Sequence, residues 1–307
     1  MIQKRKRSTV MKPAGFDNLS AEDAAAILEL SLILDIAFVK PIGASERKFY
    51  IETKQGIKRL LRITPIKGYK WVKDDDRVYE YMASAGINVP RQVSEGFFAG
   101  GEFVYQLWTW IDGEDLYTAL PRMSHAEQFA AGIKSGEAAR KIHSLPPIYE
   151  PEPWEICYRR KVEDKIQAYN NSHTKSQSVD LLVRYLQDNM ELLANRPTTF
   201  TKGDWNTRNL MITPDNKIWL IDIGDSSGDP WSEFWEISGD ADEMPQYYTG
   251  LIKGYFEGEP PVEYFPLFVF YMASETLSWG YDSENVLNWF DDMRNPVPTW
   301  YLKDYNG

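Results

Sequence analysis

The stretch TFTKGDWNTRNLMITPDNKIWLIDIGDSSGDPW, residues 199–231, decides how the chain reads. Asp204 is followed five residues later by Asn209, at the edge of the apolar run NLMIT. Thirteen residues further on, Asp222 ends a second apolar run, IWLI. Laid side by side as a hairpin, the two runs bring Asp204, Asn209 and Asp222 to one end. Phosphoryl transfer needs such a set, with a carboxylate to accept from a hydroxyl and oxygen ligands for Mg2+. Asp and Asn also favour loops for turn chemistry alone. The spacing by itself leaves both readings open.

Working outward, the first 110 residues have the texture of a small antiparallel sheet. Ser20 and Asp23 form a capping-box pattern ahead of the helix AEDAAAILELSLIL. DIAFVKPIG, ERKFYIETK and IKRLLRIT follow, short and rich in β-branched and aromatic residues, and they predict a meander. WVKDDDRVYEYMASAG predicts a helix closed by Gly86, and RQVSEGFF and EFVYQLWTWI predict two more strands. After residue 110 the chain turns mostly helical. Ser124 and Glu127 cap a helix running to His143, and helices are expected over Trp154–Asn170, over Ser178–Asn195 and again after Pro230. The expected organisation is α+β, with a strand-rich lobe over 1–110 and a larger helical lobe over 111–307.

Composition narrows the function classes. Among 307 residues, 34 Lys and Arg face 45 Asp and Glu, for a net charge of −11. From Gly203 onward there are 5 basic and 19 acidic residues, the reverse of what a nucleic-acid binder requires. An acidic C-terminal third suits a cationic or metal-bound ligand, although solvation also accounts for acidic surface. A single cysteine, Cys157, excludes an internal disulfide framework, and three histidines exclude a histidine-rich metal centre. A reducing, cytoplasmic setting is the simplest reading. No window approaches the length of apolar sequence that a membrane span requires, and nothing calls for an obligate protein partner.

The pattern Gly203-Asp204-x4-Asn209, then Leu220-Ile221-Asp222, then Gly228-Asp229-Pro230, resembles the aminoglycoside phosphotransferase and choline kinase family. The resemblance implies a bilobal, protein-kinase-like fold with a small antiparallel-sheet N-lobe and a mainly helical C-lobe. It implies that Asp204 is the catalytic base and that Asn209 and Asp222 hold Mg2+ against the phosphates of ATP or GTP. Asp229 would instead cap the following helix, with Pro230 at its first position. In the N-lobe, the resemblance places Ser45, beside Gly43, in the loop over the phosphates. It places Arg62 on the third strand as the phosphate contact and Glu80 on the next helix as its ion-pair partner. Trp110 and Asp112 fall in the inter-lobe linker that receives the adenine edge. His143, in ARKIHSLPP, reads as a structural histidine.

The chain departs from the family's pattern in two places. Lys202 stands where the family usually has His, and it is expected either to lower the basicity of Asp204 or to salt-bridge Asp222. Arg62 replaces the more common Lys and keeps the charge with a bidentate grip. A rival motif, Gly224-x-Ser226-x-Gly228, fails as a nucleophile elbow because all three histidines precede the serine. The same loop carries Asp225, a candidate additional carboxylate near the phosphates. The acceptor is expected to be a small cationic molecule, first an aminoglycoside-type antibiotic and second a choline-like or other amino alcohol. Some subset of the acids and aromatics after Gly228, among them Glu233, Glu236, Trp231, Tyr247, Tyr248, Tyr255 and Trp300, would line its pocket, the others packing between helices or facing solvent. A catalytically silent, kinase-shaped binding protein is the remaining alternative.

Overall fold

The computed structural model describes residues 21–42, 47–173, 175–224, 226–239, 241–279 and 297–307. The chain divides into two compact units, Met1–Asp112 with Trp219–Ile221, and Gly113–Ile218 with Asp222–Gly307. Ser20, Gly43, Ser45 and Asp225 lie outside the described residues.

The first unit begins with helix α1 (Ala21–Leu34) and the strands β1 (Ile36–Ile42), β2 (Arg47–Thr53) and β3 (Lys58–Pro65). Helix α2 (Tyr69–Ser84) and strands β4 (Gln92–Phe98) and β5 (Phe103–Thr109) follow. The five strands form one antiparallel sheet in the order β1-β2-β3-β5-β4. Side chains alternate across such a sheet. Phe49, Ile51, Leu61, Ile63, Tyr105 and Leu107 therefore share one face, where they pack with Ile27 and Leu30 of α1. The other face carries Trp108, whose ring lies 4.9 Å from Tyr79 of α2. Burying each of these large apolar side chains is worth about 1.5–3 kcal/mol, which outweighs the modest strand propensities. The Leu220 amide, from the short returning segment, donates to the Asn88 carbonyl at 2.9 Å.

The second unit contains β6 (Glu114–Asp115) and short helix α3 (Leu116–Ala119), then α4 (His125–His143), α5 (Trp154–Asn170) and α6 (Gln177–Asp188). Next come β7 (Thr199–Thr201), β8 (Leu210–Ile212) and β10 (Ser226–Gly228), while β9 (Ile218–Leu220) runs from Ile218 of this unit into the Trp219–Ile221 segment of the first. A 3-10 run, Pro230–Gly239, leads to α7 (Pro245–Phe256) and α8 (Tyr264–Trp279). Ser124 and Glu127 complete a reciprocal capping box at the start of α4. The helix expected to reach Asn195 stops at Asp188, where Asn189 leaves helical geometry and a 3-10 turn, Met190–Leu193, takes over.

Helices α4 and α7 pack backbone to backbone through four glycines. A Cβ on Gly132, Gly136, Gly250 or Gly254 would fall 2.1–2.3 Å from a carbonyl oxygen of the facing helix. That close approach sets His143 and Tyr255 beside each other, with ring centroids 5.4 Å apart. A separate core of Tyr158, Val162, Ile166, Leu182, Leu186, Phe270 and Tyr271 joins α5, α6 and α8.

Candidate active site

Strand β7 delivers Lys202, Gly203 and Asp204 from its end. β10 runs back along β7, with Ser226 opposite Thr201 and Ser227 opposite Phe200. The chain after Asp222 thus returns beside the chain leading into Asp204, and the Gly224 amide donates to the Lys202 carbonyl at 3.2 Å. Gly203 sits at φ 95°, a conformation that glycine adopts without the clash of a Cβ. Asp222 itself lies at φ 53°, in the left-handed region that Asp tolerates better than most residues.

Lys202 is 1% exposed and holds this corner together. Its Nζ donates to the Asp204 carbonyl at 2.6 Å and to the Asp222 carbonyl at 3.3 Å. Burial pushes the ammonium pKa below the usual lysine range, against the opposing pull of Glu233, Asp204, Asp222 and Glu236. The structure therefore gives Lys202 a role that neither sequence expectation named, a tie between the backbones at Asp204 and Asp222.

Asp204 is steered from within its own loop. Asn206 Nδ2 donates to Asp204 Oδ1 at 2.6 Å, while Asn206 Oδ1 accepts from the Arg208 amide at 2.9 Å. That second bond caps the 3-10 turn Thr207–Asn209. The Asn209 amide nitrogen of the backbone donates to the Asn206 carbonyl at 3.0 Å, and the Asn209 side chain makes no hydrogen bond among the described residues. Asn209 and Asp222 each carry a side-chain oxygen that could serve as a donor. Among the described residues no group of three or more His, Cys, Asp and Glu side chains could hold a metal ion. Mg2+ is usually held by one or two carboxylates, with phosphate and water completing the shell, so this sparse donor set fits it.

Two glutamates of the Pro230–Gly239 run complete the site, and sequence reading had placed both only among the acids of a substrate pocket. Glu233 accepts from the Gly203 amide through Oε1, and its Oε2 lies 2.7 Å from His143 Nε2. His143 Nδ1 in turn lies 3.0 Å from the Tyr255 hydroxyl. Glu233 therefore anchors the Asp204 loop to α4 and α7, with buried His143 held between Glu233 and Tyr255. Glu236 is hydrogen-bonded to Asp204. Burial first, and then the charge and hydrogen bond of Asp204, push its carboxyl pKa up to about 8. The available signal was an acid flanked by large aromatics in PWSEFWEI, which cannot stay ionised there without a partner.

Asp229 is fully buried and caps the run by accepting from the Trp231 amide at 3.0 Å. It also accepts from Arg196 Nη2 at 2.9 Å and from the Tyr271 hydroxyl at 2.6 Å. Tyr247, Tyr248, Tyr255 and Trp300 are buried and belong to the part of the aromatic set that packs between helices. Trp231 covers the Arg196 guanidinium at 3.9 Å.

In the first unit, Arg62 stands opposite Gln106 in the sheet register, on the face that carries Trp108. Gln106 Nε2 donates to Asp76 Oδ1 at 2.7 Å and to Gln92 Oε1 at 2.8 Å. Asp76, 8% exposed, is thus the carboxylate that α2 turns to Arg62's side of the sheet. Glu80, expected as the partner of Arg62, is exposed and makes no ion pair among the described residues. At 100° per residue it lies outside the buried arc of Val72, Asp76, Val78, Tyr79 and Met82. Trp110 packs edge-on to Tyr50 at 4.8 Å, and Asp112 accepts from Lys58 Nζ at 2.7 Å on the surface.

The sheet-bearing first unit, the helical second unit and the Asp204 loop define the class as protein-kinase-like. The model of the phosphotransferase enzyme family matches residues 39–265, and the chain belongs to that family. Curated protein sequences give no match. Among solved structures, the aminoglycoside phosphotransferase APH(4)-Ia is 19% identical, with a TM-score of 0.60 over 89% of this chain and 95% of the other. The aminoglycoside phosphotransferase APH(3'')-Id from Streptomyces rimosus, in complex with ADP and streptomycin, is 19% identical, with a TM-score of 0.55 over 84% of this chain and 99% of the other. Choline kinase LicA from Streptococcus pneumoniae is 11% identical, with a TM-score of 0.53 over 90% and 99%.

Proposed function

We propose that the protein transfers the γ-phosphate of ATP or GTP to a hydroxyl of an amine-bearing small molecule, in the first place an aminoglycoside-type antibiotic. The observation that carries this reading is the tie of Asp204 and Asp222 to one buried Lys202, with the unbonded Asn209 side chain on the same loop. Asp204 accepts the acceptor's hydroxyl proton while its oxygen forms a bond to the γ-phosphorus, and the bond from phosphorus to the β,γ-bridging oxygen breaks to release the diphosphate. Asn206 keeps Oδ1 of Asp204 oriented during that exchange. Asn209 and Asp222 would hold Mg2+, which would supply charge neutralisation at the phosphates. Arg62 meets the phosphates, assisted by Ser45, and the Trp110–Asp112 segment receives the base.

The acidic charge of the residues after Gly203 favours a cationic acceptor. Similarity to a streptomycin-bound phosphotransferase supports the aminoglycoside reading, and similarity to a choline kinase supports a smaller amino alcohol as the second. The test is calorimetry with ATP and GTP, each with and without Mg2+, followed by acceptor screening. Mg2+-dependent binding of one nucleotide is expected. Binding of neither would leave a kinase-shaped protein without catalysis.

A further inference from the structure

Arg208 belongs to the Asp204 loop, yet the phosphotransfer reading leaves it no task. It follows Asp204 by four residues and directly precedes Asn209, on the 3-10 turn Thr207–Asn209. The side chain is exposed, and its guanidinium carbon lies 3.4 Å from the centre of the Tyr117 ring on α3. Stacking of this kind uses the flat face of the cation. The five N–H groups lie in the guanidinium plane and point out from its edge. None of them makes a hydrogen bond or an ion pair among the described residues.

The neighbouring acids already have partners. Strand β6 pairs with β8, with Asp115 opposite Met211 and Glu114 opposite Ile212. Asp115 accepts from the Thr118 amide at 2.9 Å and from the Thr118 hydroxyl at 3.0 Å, and Glu114 is engaged by Arg122. Elsewhere after Gly203, Lys217 pairs with Asp215 and Lys253 with Glu259, whereas Arg208 lies on a ring with its fork open. A 3-10 turn advances about 120° per residue, so Arg208 and Asn209 leave it in different directions. Arg208 is exposed and Asn209 half-buried, which sets the open fork on the outer side of the loop.

We propose that Arg208 binds an oxyanion, carboxylate or phosphate, carried by one of the two substrates, with Tyr117 holding the fork in place for it. The proposal rests on the Asp204 loop being the site of reaction. A planar guanidinium offers paired N–H donors whose spacing matches two oxygens of a carboxylate or phosphate. The ring already restricts a side chain that would otherwise lose rotamer freedom on binding, so less ordering opposes the contact. Two sources share this chemistry, a phosphate of the nucleotide and a carboxylate on the acceptor. An acceptor with a carboxylate beside its amine suits both Arg208 and the acidic charge after Gly203.

The experiment follows the arginine Nε–Hε signals of the full chain by NMR, titrated with inorganic phosphate and separately with acetate at constant ionic strength. Arg208→Gln identifies the signal by its loss. Arg184 on α6, exposed and with no ring or ion pair among the described residues, is the internal control. A saturable shift confined to Arg208 is expected with each anion. Tyr117→Leu should weaken phosphate binding by about 3-fold to 10-fold, the effect of freeing one long side chain. An Arg208 signal that moves no further than that of Arg184 would overturn the proposal, as would unchanged phosphate binding in Tyr117→Leu.

Calorimetry with Mg2+-ATP and with adenosine then assigns the source. ATP binding weakened by about 10-fold to 100-fold in Arg208→Gln, with adenosine unaffected, gives the oxyanion to the nucleotide. ATP binding equal to that of wild type gives it to the acceptor. Turnover by Asp204→Ala would sink the reading of the loop without touching the anion titration, so the two failures are distinguishable.

Discussion

The two ends of the Pro230–Gly239 run present the same residue type in opposite circumstances. At its start, Glu233 is buried with a backbone amide and a histidine to receive its lone pairs. One turn later Glu236 faces another carboxylate and keeps its proton close to neutrality. The difference teaches that burial alone does not assign a role. A buried carboxylate given donors is stabilised, whereas one set against a second carboxylate is pushed toward its protonated form.

The comparison is broken most forcefully at its structural end. Glu233→Ala should cost about 3–5 kcal/mol by removing one partner of a buried charged network, and should lower Tm well below that of Glu236→Gln. Equal Tm values for the two variants, measured calorimetrically, would contradict the division of labour. Gly250→Ala strikes the helix pair beneath Glu233, because its Cβ would fall 2.3 Å from the Phe129 carbonyl oxygen. A loss of about 1–3 kcal/mol or more is expected in urea unfolding.

The Glu236 end responds to pH. The folded-state pKa of Glu236, about 8, lies above the ordinary glutamate value of 4.5, so the native state holds the proton more tightly than the unfolded chain does. Its contribution therefore grows less favourable as pH rises from 4.5 to 8. Glu236→Gln should match wild type near the bottom of that window and gain a few degrees in Tm above its top. A gain confined to low pH would reverse the assignment. The smallest effect belongs to the surface: breaking the exposed Lys58–Asp112 pair should change stability by no more than about 1 kcal/mol.

Much of the first unit was legible because alternation fixes which side of a sheet each residue faces. The β2, β3 and β5 runs emerge close to their expected bounds. The same pattern reading could not choose between two acids on α2. Helix phase, set by packing of Val78, Tyr79 and Met82, buries Asp76 and exposes Glu80. In the second unit the Asp204–Asn209–Asp222 spacing was readable, being local. The tie through Lys202 and the pairing of Asp204 with Glu236 were not, since they join residues 20 and 32 positions apart through β7–β10 pairing and a 3-10 run. Composition likewise could not separate the aromatics of a pocket wall from those inside a helix pair, and Tyr247, Tyr248 and Tyr255 pack inside.

The central claim is that Asp204 accepts the acceptor's proton. Single-turnover phosphate transfer by wild type and Asp204→Ala, with nucleotide binding measured on the same samples, tests it most directly. The account predicts transfer slowed by about 100-fold to 10,000-fold with nucleotide affinity retained. Transfer at the wild-type rate by Asp204→Ala would contradict it.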